Sequence, residues 1–574
     1  MPDHLPPRAF RFGGYVLDLS AYELRKQGRS VKIERRPMEL LMLLVDRRGQ
    51  LVTRDEIVTR LWGRDVFIDA DASVNTVIRK VRRALRDSAD HSRFIQTVQG
   101  KGYRFVADVE SAGRSVLAVL PFQNLLATGD SDYIADGLTE ETIVGLGRID
   151  PDRLSVVGRT SSMAYRRTSK TLGEIGVELG ADYILEGSVR AADGRCRVAA
   201  TLVRVRDQVQ VWTDTYERDL NDLLGLQAEL GQAIARQIEL RLSPHRAAAI
   251  SERQTRNAAA YDLYLRGRYY YNQMTPATAE RALECFRRAT DVDPGYALAW
   301  AGIADTCSGR IFNSDTRPSD VSDDARAAAA LALEHGETVA EAHTSMGRVR
   351  FLFDWDWPGA EANLARALAL DPGSAQTHWM LGHALSQQQR HAQALAAARR
   401  ACALDPLDAL SHSMASQIAF SARDPEAAAL HAHDALRAEP DFWVAYWQLG
   451  QAYEQMGRTD QAIDALNQAA RLSNGNSKPT AMSAYILGKT GRAGEALELL
   501  AGLKHLSHHR YVPPMAFALA YAGLKDDERV FEWLEKASAV RDSHLIYVIV
   551  DAKWDSYRQD PRFQRVLRTS GLEE

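Results

Sequence analysis

The sequence predicts a multidomain protein that combines α/β domains with an α-solenoid, and three patterns support this fold class. A basic amphipathic stretch at residues 72–87 lies among short strand-like segments near the N-terminus. Strand-like and helical patterns then alternate over residues 115–242, and a 34-residue period runs from about 258 to 540. We therefore expect an N-terminal domain at 8–109, a mixed α/β domain at 115–242, a repeat array at 258–540 and a capping segment at 541–574.

Charge is distributed unevenly along the 574 residues. Residues 1–110 contain 21 Lys and Arg against 15 Asp and Glu, whereas the remainder contains 50 against 60. The net positive part is the one expected to meet phosphates, since a basic surface attracts the nucleic-acid backbone.

The cysteines are scattered and form no C-x-x-C pair, which argues against a disulfide framework or a zinc site. They are Cys196, Cys285, Cys307 and Cys402. The N-terminus lacks the apolar core of a signal peptide, and no later run has the roughly 18 apolar residues that a membrane helix needs. We expect a cytoplasmic protein with no membrane partner.

The segment before the basic stretch predicts a small sheet followed by two helices. Alternating runs between residues 10 and 33 are broken by glycine turns, which is typical of antiparallel strands. A first helix is expected from Pro37, and a second is predicted by the capping box that Thr53 forms with Glu56.

The stretch at 72–87 predicts a helix with one apolar and one cationic face. Val74, Ile78, Val81 and Leu85 recur at helical spacing and are expected to face a core. The other face carries Thr76, Arg79, Lys80, Arg83 and Arg86, flanked by Asn75 and Arg82. A charge run alone usually indicates a solvated face, but the preceding helix and a hairpin predicted at 94–106 make this pattern a helix-turn-helix with a wing.

The order sheet, three helices, hairpin, with the motifs "VNTVIRKVRRALRD" and "TVQGKGYRFVADV", resembles the winged-helix effector domain of OmpR/PhoB-type response regulators. The resemblance implies double-stranded DNA as partner, with the third helix in the major groove and the wing in the minor groove. It assigns base-edge or near-base positions to Asn75, Thr76, Arg79 and Lys80, phosphate positions to Ser73, Arg82 and Arg83, and the minor-groove position to Arg104. Lys101, at the hairpin tip, is expected to contact a phosphate.

Two departures from that family affect the expectations. Ala72 stands where many relatives carry an arginine, so the target sequence cannot be borrowed from them. The winged helix is not preceded by a receiver domain, so control by phospho-aspartate is not expected. The loop from Arg64 to Asp71 corresponds to the segment that contacts RNA polymerase in relatives, which makes the polymerase a further expected partner.

The middle domain is expected to contain a mixed sheet. Strands are predicted at 115–122, 154–158, 182–190, 196–206 and 208–217, and helices at 133–146, 171–179 and 220–242. The pattern "VLPFQNL…YIADGLTEETIVGLGR…ADYILEGSVR" resembles the TolB-like domain that accompanies tetratricopeptide arrays in some bacterial regulators. Asp136, Glu140 and Glu141 are interpreted as acids stabilised by a helix dipole rather than as a catalytic or metal site.

The C-terminal half predicts paired helices. Pro372, Pro406 and Pro440 are spaced by 34 residues. The repeat that starts at Trp443 carries residues at tetratricopeptide landmarks, namely Tyr446, Leu449, Gly450, Tyr453, Ala462, Leu466 and Ala469. The array resembles the tetratricopeptide family, with about eight repeats, and implies a protein or peptide partner or a second copy of this chain.

Three details of the array extend this prediction. About ten extra residues fall near residues 310–320, in a polar inter-helix loop. Trp355 and Trp357 occupy an inter-helix turn, where they either pack on neighbours or form an exposed recognition patch. Residues 551–572 predict a helix that caps the last apolar face.

Enzyme motifs are not found. "LGKTG" at 487–491 lacks the required phosphate-loop glycine, since Ser483 stands there, and His505, His508 and His509 have no acid or cysteine partner. The sequence thus predicts a non-enzymatic, sequence-specific DNA-binding transcription regulator without cofactor or metal, and a homo-oligomer is a further expectation. Two alternatives stay open: a protein-interaction scaffold with vestigial DNA binding, and a ligand-sensing middle domain that controls the regulator.

Overall fold

The computed structural model describes residues 9–18, 22–26, 29–47, 49–63, 70–88, 92–107, 110–111, 115–125, 132–151, 153–192, 195–219, 223–238, 255, 257–313 and 315–572. The chain divides into two compact units, Met1–Ser115 and Val116–Glu574.

The first unit begins with a five-stranded antiparallel sheet. Its strands are β1 (Ala9–Phe12), β2 (Tyr15–Asp18), β3 (Glu23–Lys26), β4 (Arg29–Ser30) and, from the end of the unit, β8 (Glu110–Ser111). They are arranged in the order β4-β3-β2-β1-β8. The small N-terminal sheet predicted from the alternation is confirmed, and β8 is an addition that the sequence pattern did not indicate.

Three helices follow: α1 (Arg35–Asp46), α2 (Arg54–Trp62) and α3 (Ala70–Leu85). The Thr53 side chain accepts from the Glu56 backbone and the Glu56 side chain accepts from the Thr53 backbone, so the predicted capping box of α2 is present. Helix α1 begins at Arg35, two residues before Pro37, which is still within the first turn where a missing N–H is tolerated.

A second sheet forms the wing. The hairpin strands β6 (Ile95–Val98) and β7 (Gly102–Phe105) pair with each other, and β5 (Leu51–Thr53) pairs with β7 on its other side. Gly102 is required there: its φ is +155°, and a Cβ at this position would lie 2.1 Å from the Val52 carbonyl oxygen. The wing is thus anchored directly to the strand that leads into α2.

The second unit begins with the middle domain, a mixed sheet with helices. Its strands are β9 (Ser115–Val119), β10 (Gln123–Asn124), β11 (Leu154–Val156), β12 (Tyr183–Ala192), β13 (Arg195–Arg204) and β14 (Val209–Asp219). Its helices are α4 (Asp132–Ile149), α5 (Arg159–Met163), α6 (Leu172–Leu179) and α7 (Leu223–Gln237). The order is β11-β9-β12-β13-β14; β12 is parallel to β9 and β10 and antiparallel to β13. The predicted mixed sheet is therefore confirmed, whereas α5 was not anticipated.

Eight helix pairs follow among the described residues, in agreement with the expected repeat number. They are α8 (Ala258–Tyr271) with α9 (Pro276–Val292), α10 (Ala297–Asn313) with α11 (Ser322–His335), α12 (Ala340–Val349) with α13 (Trp357–Leu370), α14 (Ala375–Gln387) with α15 (His391–Leu404), α16 (Ala409–Ser421) with α17 (Pro425–Ala438), α18 (Trp443–Gln455) with α19 (Thr459–Leu472), α20 (Ser477–Lys489) with α21 (Ala493–Ser507), and α22 (Pro514–Leu524) with α23 (Asp527–Ala539). One buried apolar core runs through the middle domain and the array.

The array curls until distant repeats touch. The inserted loop near residue 315 meets the start of α20, where Asp315 accepts hydrogen bonds from the Ser477 backbone N and Oγ, each at 3.0 Å.

Trp355 is buried, and the Arg541 guanidinium stacks over its ring at 4.0 Å. The packing interpretation of the tryptophan turn is confirmed, and the exposed-patch alternative is wrong for Trp355 and also for Trp357, which is buried.

The chain ends on a capping helix, α24 (Pro561–Ser570), which packs on α23 through buried Phe563, Val566 and Leu567. This matches the prediction for the tail. Among the described residues, no helix is both long enough and apolar enough to cross a lipid bilayer.

Candidate functional site

Helix α3 is held by its apolar face against α1 and α2. The residues that face the core are Val74, Val77, Ile78, Val81 and Leu85, all buried. Because the helix repeat places residues about three and four apart on one side, the burial of these five leaves Asn75, Thr76, Arg79 and Arg83 exposed on the other. The cationic face predicted from the sequence is therefore solvent-accessible.

The orientation of the Asn75 amide is fixed by two neighbours that sequence reasoning missed. The Tyr103 hydroxyl donates to Asn75 Oδ1 at 2.8 Å, and Arg54 Nη2 donates to the same oxygen at 3.2 Å. Arg54 also pairs with Asp71 at 2.8 Å. Since a guanidinium can only donate, the carbonyl end of the amide faces these partners. A bidentate Asn–adenine pair needs both ends of the amide, so Asn75 in this arrangement offers DNA only its donor nitrogen.

Thr76 and Lys80 also have partners within the domain. The Thr76 hydroxyl donates to the Ala72 carbonyl at 2.8 Å, which leaves its methyl group for a contact such as a thymine methyl. Lys80 Nζ lies 2.6 Å from a carboxylate oxygen of Glu34, just before α1. Because both residues of this ion pair are exposed, a phosphate or a base acceptor can replace Glu34 at small cost.

Arg82 ties α3 to the wing. Its Nη2 donates to the Ile95 carbonyl and to Thr97 Oγ1, each at 2.9 Å, while its Nε is buried without a hydrogen bond to any described residue. The phosphate position expected from the family resemblance did not include this internal role. A donor engaged by the wing is less available to DNA, so Arg82 is primarily a residue that positions the hairpin relative to α3.

The remaining predicted residues lie on α3 and the wing. Ser73 is half-buried in the first turns of α3, and Lys101 is exposed at the hairpin tip. Arg104 is half-buried on β7, where its Nε is buried and has no hydrogen-bond partner in the described part of the chain. All nine predicted residues thus lie in one small domain, on the helix and hairpin that the resemblance implied. The loop from Arg64 to Asp71 is a different case, since residues 64–69 lie outside the described residues.

A second candidate site is a cavity of about 510 Å³ lined by the middle domain and by helices of the array. The junction beside it is polar: Arg148 pairs with Glu341 at 2.8 Å, and Asp405 Oδ1 accepts from the Ser161 backbone N at 2.7 Å. An aromatic group lines the array side, comprising Trp379, Phe442, Trp443, Trp447 and Tyr547. The middle domain and the repeats therefore line one common cavity.

Two of the three acids on α4, Asp136 and Glu140, form ion pairs with arginines. Glu140 pairs with Arg268 at 2.5 Å and Arg159 at 3.0 Å; burial alone would raise its pKa, but the two arginines outweigh this and lower it. Asp136 pairs with Arg166. These contacts give both acids a structural role in addition to the helix-dipole interpretation.

Glu141 differs from its neighbours, because no ion pair joins it to a base among the described residues. Burial, together with the charges of Glu140 and Glu341, raises its pKa to about 7. Burial and the adjacent Asp408 likewise raise the pKa of Asp405 to about 7. The cavity wall thus concentrates carboxyl groups whose charged form is destabilised.

Comparisons with known proteins match four segments of the chain. Residues 28–105 match the family model "Transcriptional regulatory protein, C terminal", and residues 113–233 match "HilA/YgeH-like transcriptional regulator, second domain". Residues 356–409 and 419–477 match tetratricopeptide repeat models. The chain therefore contains an OmpR/PhoB-type DNA-binding domain, a HilA-like regulator domain and tetratricopeptide repeats. The TolB-like resemblance of the middle domain is not confirmed.

Among curated relatives, the transcriptional regulator HilA of Salmonella typhimurium is 24% identical over 308 residues, which are 52% of this chain and 53% of HilA. The putative adenylate cyclase 3 of Rhizobium meliloti is 32% identical over 188 residues, which are 33% of this chain and 32% of that protein. The chain thus spans about half or less of the length of these relatives.

Solved structures also cover parts of the chain. The DNA-binding domain of Klebsiella pneumoniae RstA, in complex with the RstA box, is 30% identical, covers 17% of this chain and 96% of its own, and has a TM-score of 0.16. The crystal structure of MamA is 23% identical and covers 28% of this chain and 92% of its own, with a TM-score of 0.24.

Proposed function

We propose that this chain is a sequence-specific DNA-binding transcription regulator, with α3 in the major groove and the wing in the adjacent minor groove. The observation that carries the proposal is the exposed polar face of α3, with Thr76, Arg79 and Arg83, beside a wing whose tip presents Lys101. Arginine and lysine donate to guanine edges and neutralise phosphates, and this face lies in the net positive part of the chain. The regulator family models that match residues 28–105 and 113–233 support the same reading and favour a non-enzymatic protein.

The partners and location follow from that role. The concave side of the repeats is proposed to bind a protein or peptide, as stacked helix pairs present an extended surface. Contact of the loop from Arg64 to Asp71 with RNA polymerase and assembly of a homo-oligomer are proposed on the family resemblance alone. A cytoplasmic location is proposed as well, because DNA is the proposed partner.

The test is DNA affinity of the full chain as a function of salt. We expect log affinity to fall linearly with log salt, with a slope of about −0.9 per neutralised phosphate. The double variant Arg79→Ala/Lys80→Ala should lose affinity and flatten the slope. The matched control is Arg25→Ala, an exposed arginine on β3 of the same unit that pairs with Glu23. A flat response in the parent protein, or equal affinity of the double variant and the control, would favour a scaffold with vestigial DNA binding.

A second candidate function is ligand sensing at the cavity. Four cavity acids have no ion pair with a base in the described part of the chain: Glu141, Asp405, Asp408 and Glu439. Cation–π attraction adds to this charge, because tryptophan faces favour organic cations. The ligand class proposed is therefore a small organic amine or guanidine.

Thermal shift of the full chain tests this second function. Putrescine, spermidine and agmatine should raise the unfolding midpoint, because a ligand that binds only the folded state stabilises it. Diols of matching length serve as neutral controls, and Glu141→Gln should reduce the shift. Equal shifts with diols, or no shift with any cation, contradict ligand sensing by this cavity.

A further inference from the structure

Three side chains from successive helices of the array converge on one point. Cys402 lies on α15, His412 on α16 and His431 on α17, and one potential ligand atom from each lies within 4.8 Å of the other two. Cys402 is half-buried and His412 is buried. Their sequence spacings of ten and nineteen residues match no zinc motif, which is why the sequence argued against such a site.

The tautomer of His412 leaves its Nδ1 as an acceptor. The Nε2 atom lies 3.0 Å from the Pro406 carbonyl oxygen, and since a carbonyl only accepts, Nε2 carries the proton. The Nδ1 atom is buried without a hydrogen bond to any described residue. Asp434 Oδ2 lies 3.9 Å from it, so two acceptors face each other. A histidine whose second nitrogen donates to a backbone carbonyl is the usual arrangement of a metal ligand.

The histidine alone does not indicate a ligand, because the same bond recurs in the array. His343 Nε2 lies 2.8 Å from the Glu337 carbonyl and His378 Nε2 lies 3.2 Å from the Pro372 carbonyl. His412 differs from these two histidines because the Cys402 thiol and the His431 imidazole lie close to it. One repeat earlier, the positions of Cys402 and His431 are occupied by Leu368 and Ala397, which cannot ligate.

We propose that Cys402, His412 and His431 bind a Zn²⁺ ion. One sulfur and two imidazole nitrogens are the donor set that Zn²⁺ prefers, with Zn–S of about 2.3 Å and Zn–N of about 2.0–2.1 Å in tetrahedral geometry. The three ligand atoms already lie within 4.8 Å of one another, so small side-chain rotations would bring them to those distances. A water molecule or Asp434 supplies the fourth ligand.

Binding releases a proton and links the repeats. Zn²⁺ binds the thiolate form of cysteine, so the Cys402 thiol must lose its proton. On binding, the S–H bond breaks, a Zn–S bond forms and the proton leaves to solvent, while the zinc keeps its oxidation state. The ion would then hold α15, α16 and α17 together, fixing the angle between two consecutive repeats.

The test uses the full chain stripped with a chelator and titrated with Co²⁺ alone. We expect saturation at one equivalent, with a thiolate-to-cobalt charge-transfer band and the intense d–d bands of tetrahedral cobalt, and displacement of cobalt by Zn²⁺. Cys402→Ser should abolish the charge-transfer band, and His431→Asn should weaken binding at least tenfold. The matched control is His378→Asn, which removes the equivalent ring-to-carbonyl bond in the preceding repeat and should leave the titration unchanged.

The cobalt spectrum distinguishes a tetrahedral thiolate site from nonspecific binding. An octahedral, weakly absorbing cobalt spectrum, or a thiolate band that persists in Cys402→Ser, overturns the proposal. Circular dichroism of each variant checks folding, and His431→Asn, at the most accessible of the three positions, keeps the test decisive if Cys402→Ser fails to fold. DNA affinity of the zinc-free protein distinguishes this site from the winged helix, which should bind DNA with or without metal.

Discussion

The hydroxyl of Tyr103 donates to Oδ1 of Asn75 across 2.8 Å, which joins the wing strand β7 to the DNA-facing side of α3. The bond fixes one end of an amide that the family resemblance assigns to base reading. Helix and wing are therefore coupled at the very residue whose orientation determines which base edge it can meet.

Tyr103→Phe should weaken and broaden DNA recognition. Loss of one hydrogen bond of about 0.5–1.5 kcal/mol leaves Asn75 Oδ1 with the longer bond from Arg54 and orients the amide less firmly, so specific affinity should fall by up to about tenfold while nonspecific affinity is unchanged. The measurement is binding to a selected site and to unrelated duplex. Tyr22→Phe, which removes an exposed hydroxyl that donates to the Arg35 carbonyl, is the control. Unchanged discrimination between the two duplexes would show that Asn75 does not read bases.

Glu34→Gln should raise DNA affinity a few-fold at low salt. The substitution removes the carboxylate that pairs with Lys80 at 2.6 Å, so the ammonium becomes available to DNA and one repulsive charge is lost. The gain should disappear at high salt, where exposed charges are screened. Glu39→Gln removes a comparable carboxylate that pairs with Arg35 and serves as control. A gain of equal size in the control would indicate a general charge effect rather than release of Lys80.

Arg82→Ala should destabilise the winged-helix unit by about 1–3 kcal/mol, because it removes two hydrogen bonds from a charged donor and unties the wing from α3. Chemical denaturation, followed by a probe in the first unit, measures the change. The adjacent exposed Arg83→Ala is the control and should leave the free energy of unfolding nearly unchanged, although both variants remove one positive charge. Equal losses in stability would refute the internal role of Arg82.

Glu141→Gln should stabilise the second unit at high pH only. The pKa of Glu141 is raised by burial and neighbouring acids to about 7, so the folded state holds its proton where the unfolded state has released it. Stability from this group is fully present below its ordinary pKa of 4.5 and is lost progressively as pH rises from there to about 7. The variant should therefore match the parent at the acid end of this range, gain on it across the range, and keep a constant advantage above it. Thermal unfolding of the parent and the variant, measured once well below and once above this range, checks the prediction. Glu284→Gln, at an exposed position on α9, is the control. If Glu141→Gln also raises the unfolding midpoint at the lower pH, its effect comes from packing rather than from the charge.

Much of the winged helix could be predicted from the sequence. Spacing placed Val74, Ile78, Val81 and Leu85 on the buried side of α3, and each is buried. The capping box of Thr53 with Glu56 and the hairpin around residues 99–102 are also present. These features depend on neighbours within a few residues, which a local pattern reports directly. The sequence also predicted which residues of α3 and the wing form the site. It did not predict the hydrogen bonds and ion pairs that Asn75, Lys80 and Arg82 make within the domain.

The sequence by itself determined the periodicities: strand alternation, helical faces and the 34-residue repeat, each set by backbone geometry common to all chains. Only the tertiary structure decided which residues from distant parts of the chain contact each helix and strand. The Arg54 and Tyr103 contacts of Asn75, the wing bonds of Arg82, the cavity where Ser161 donates to Asp405 from 244 residues away, and the convergence of Cys402 with His412 and His431 all depend on packing. A repeat pattern shows which side of a helix is buried, but the residue found there from another helix depends on how the superhelix curls, and that geometry is the sum of many packing contacts along the array.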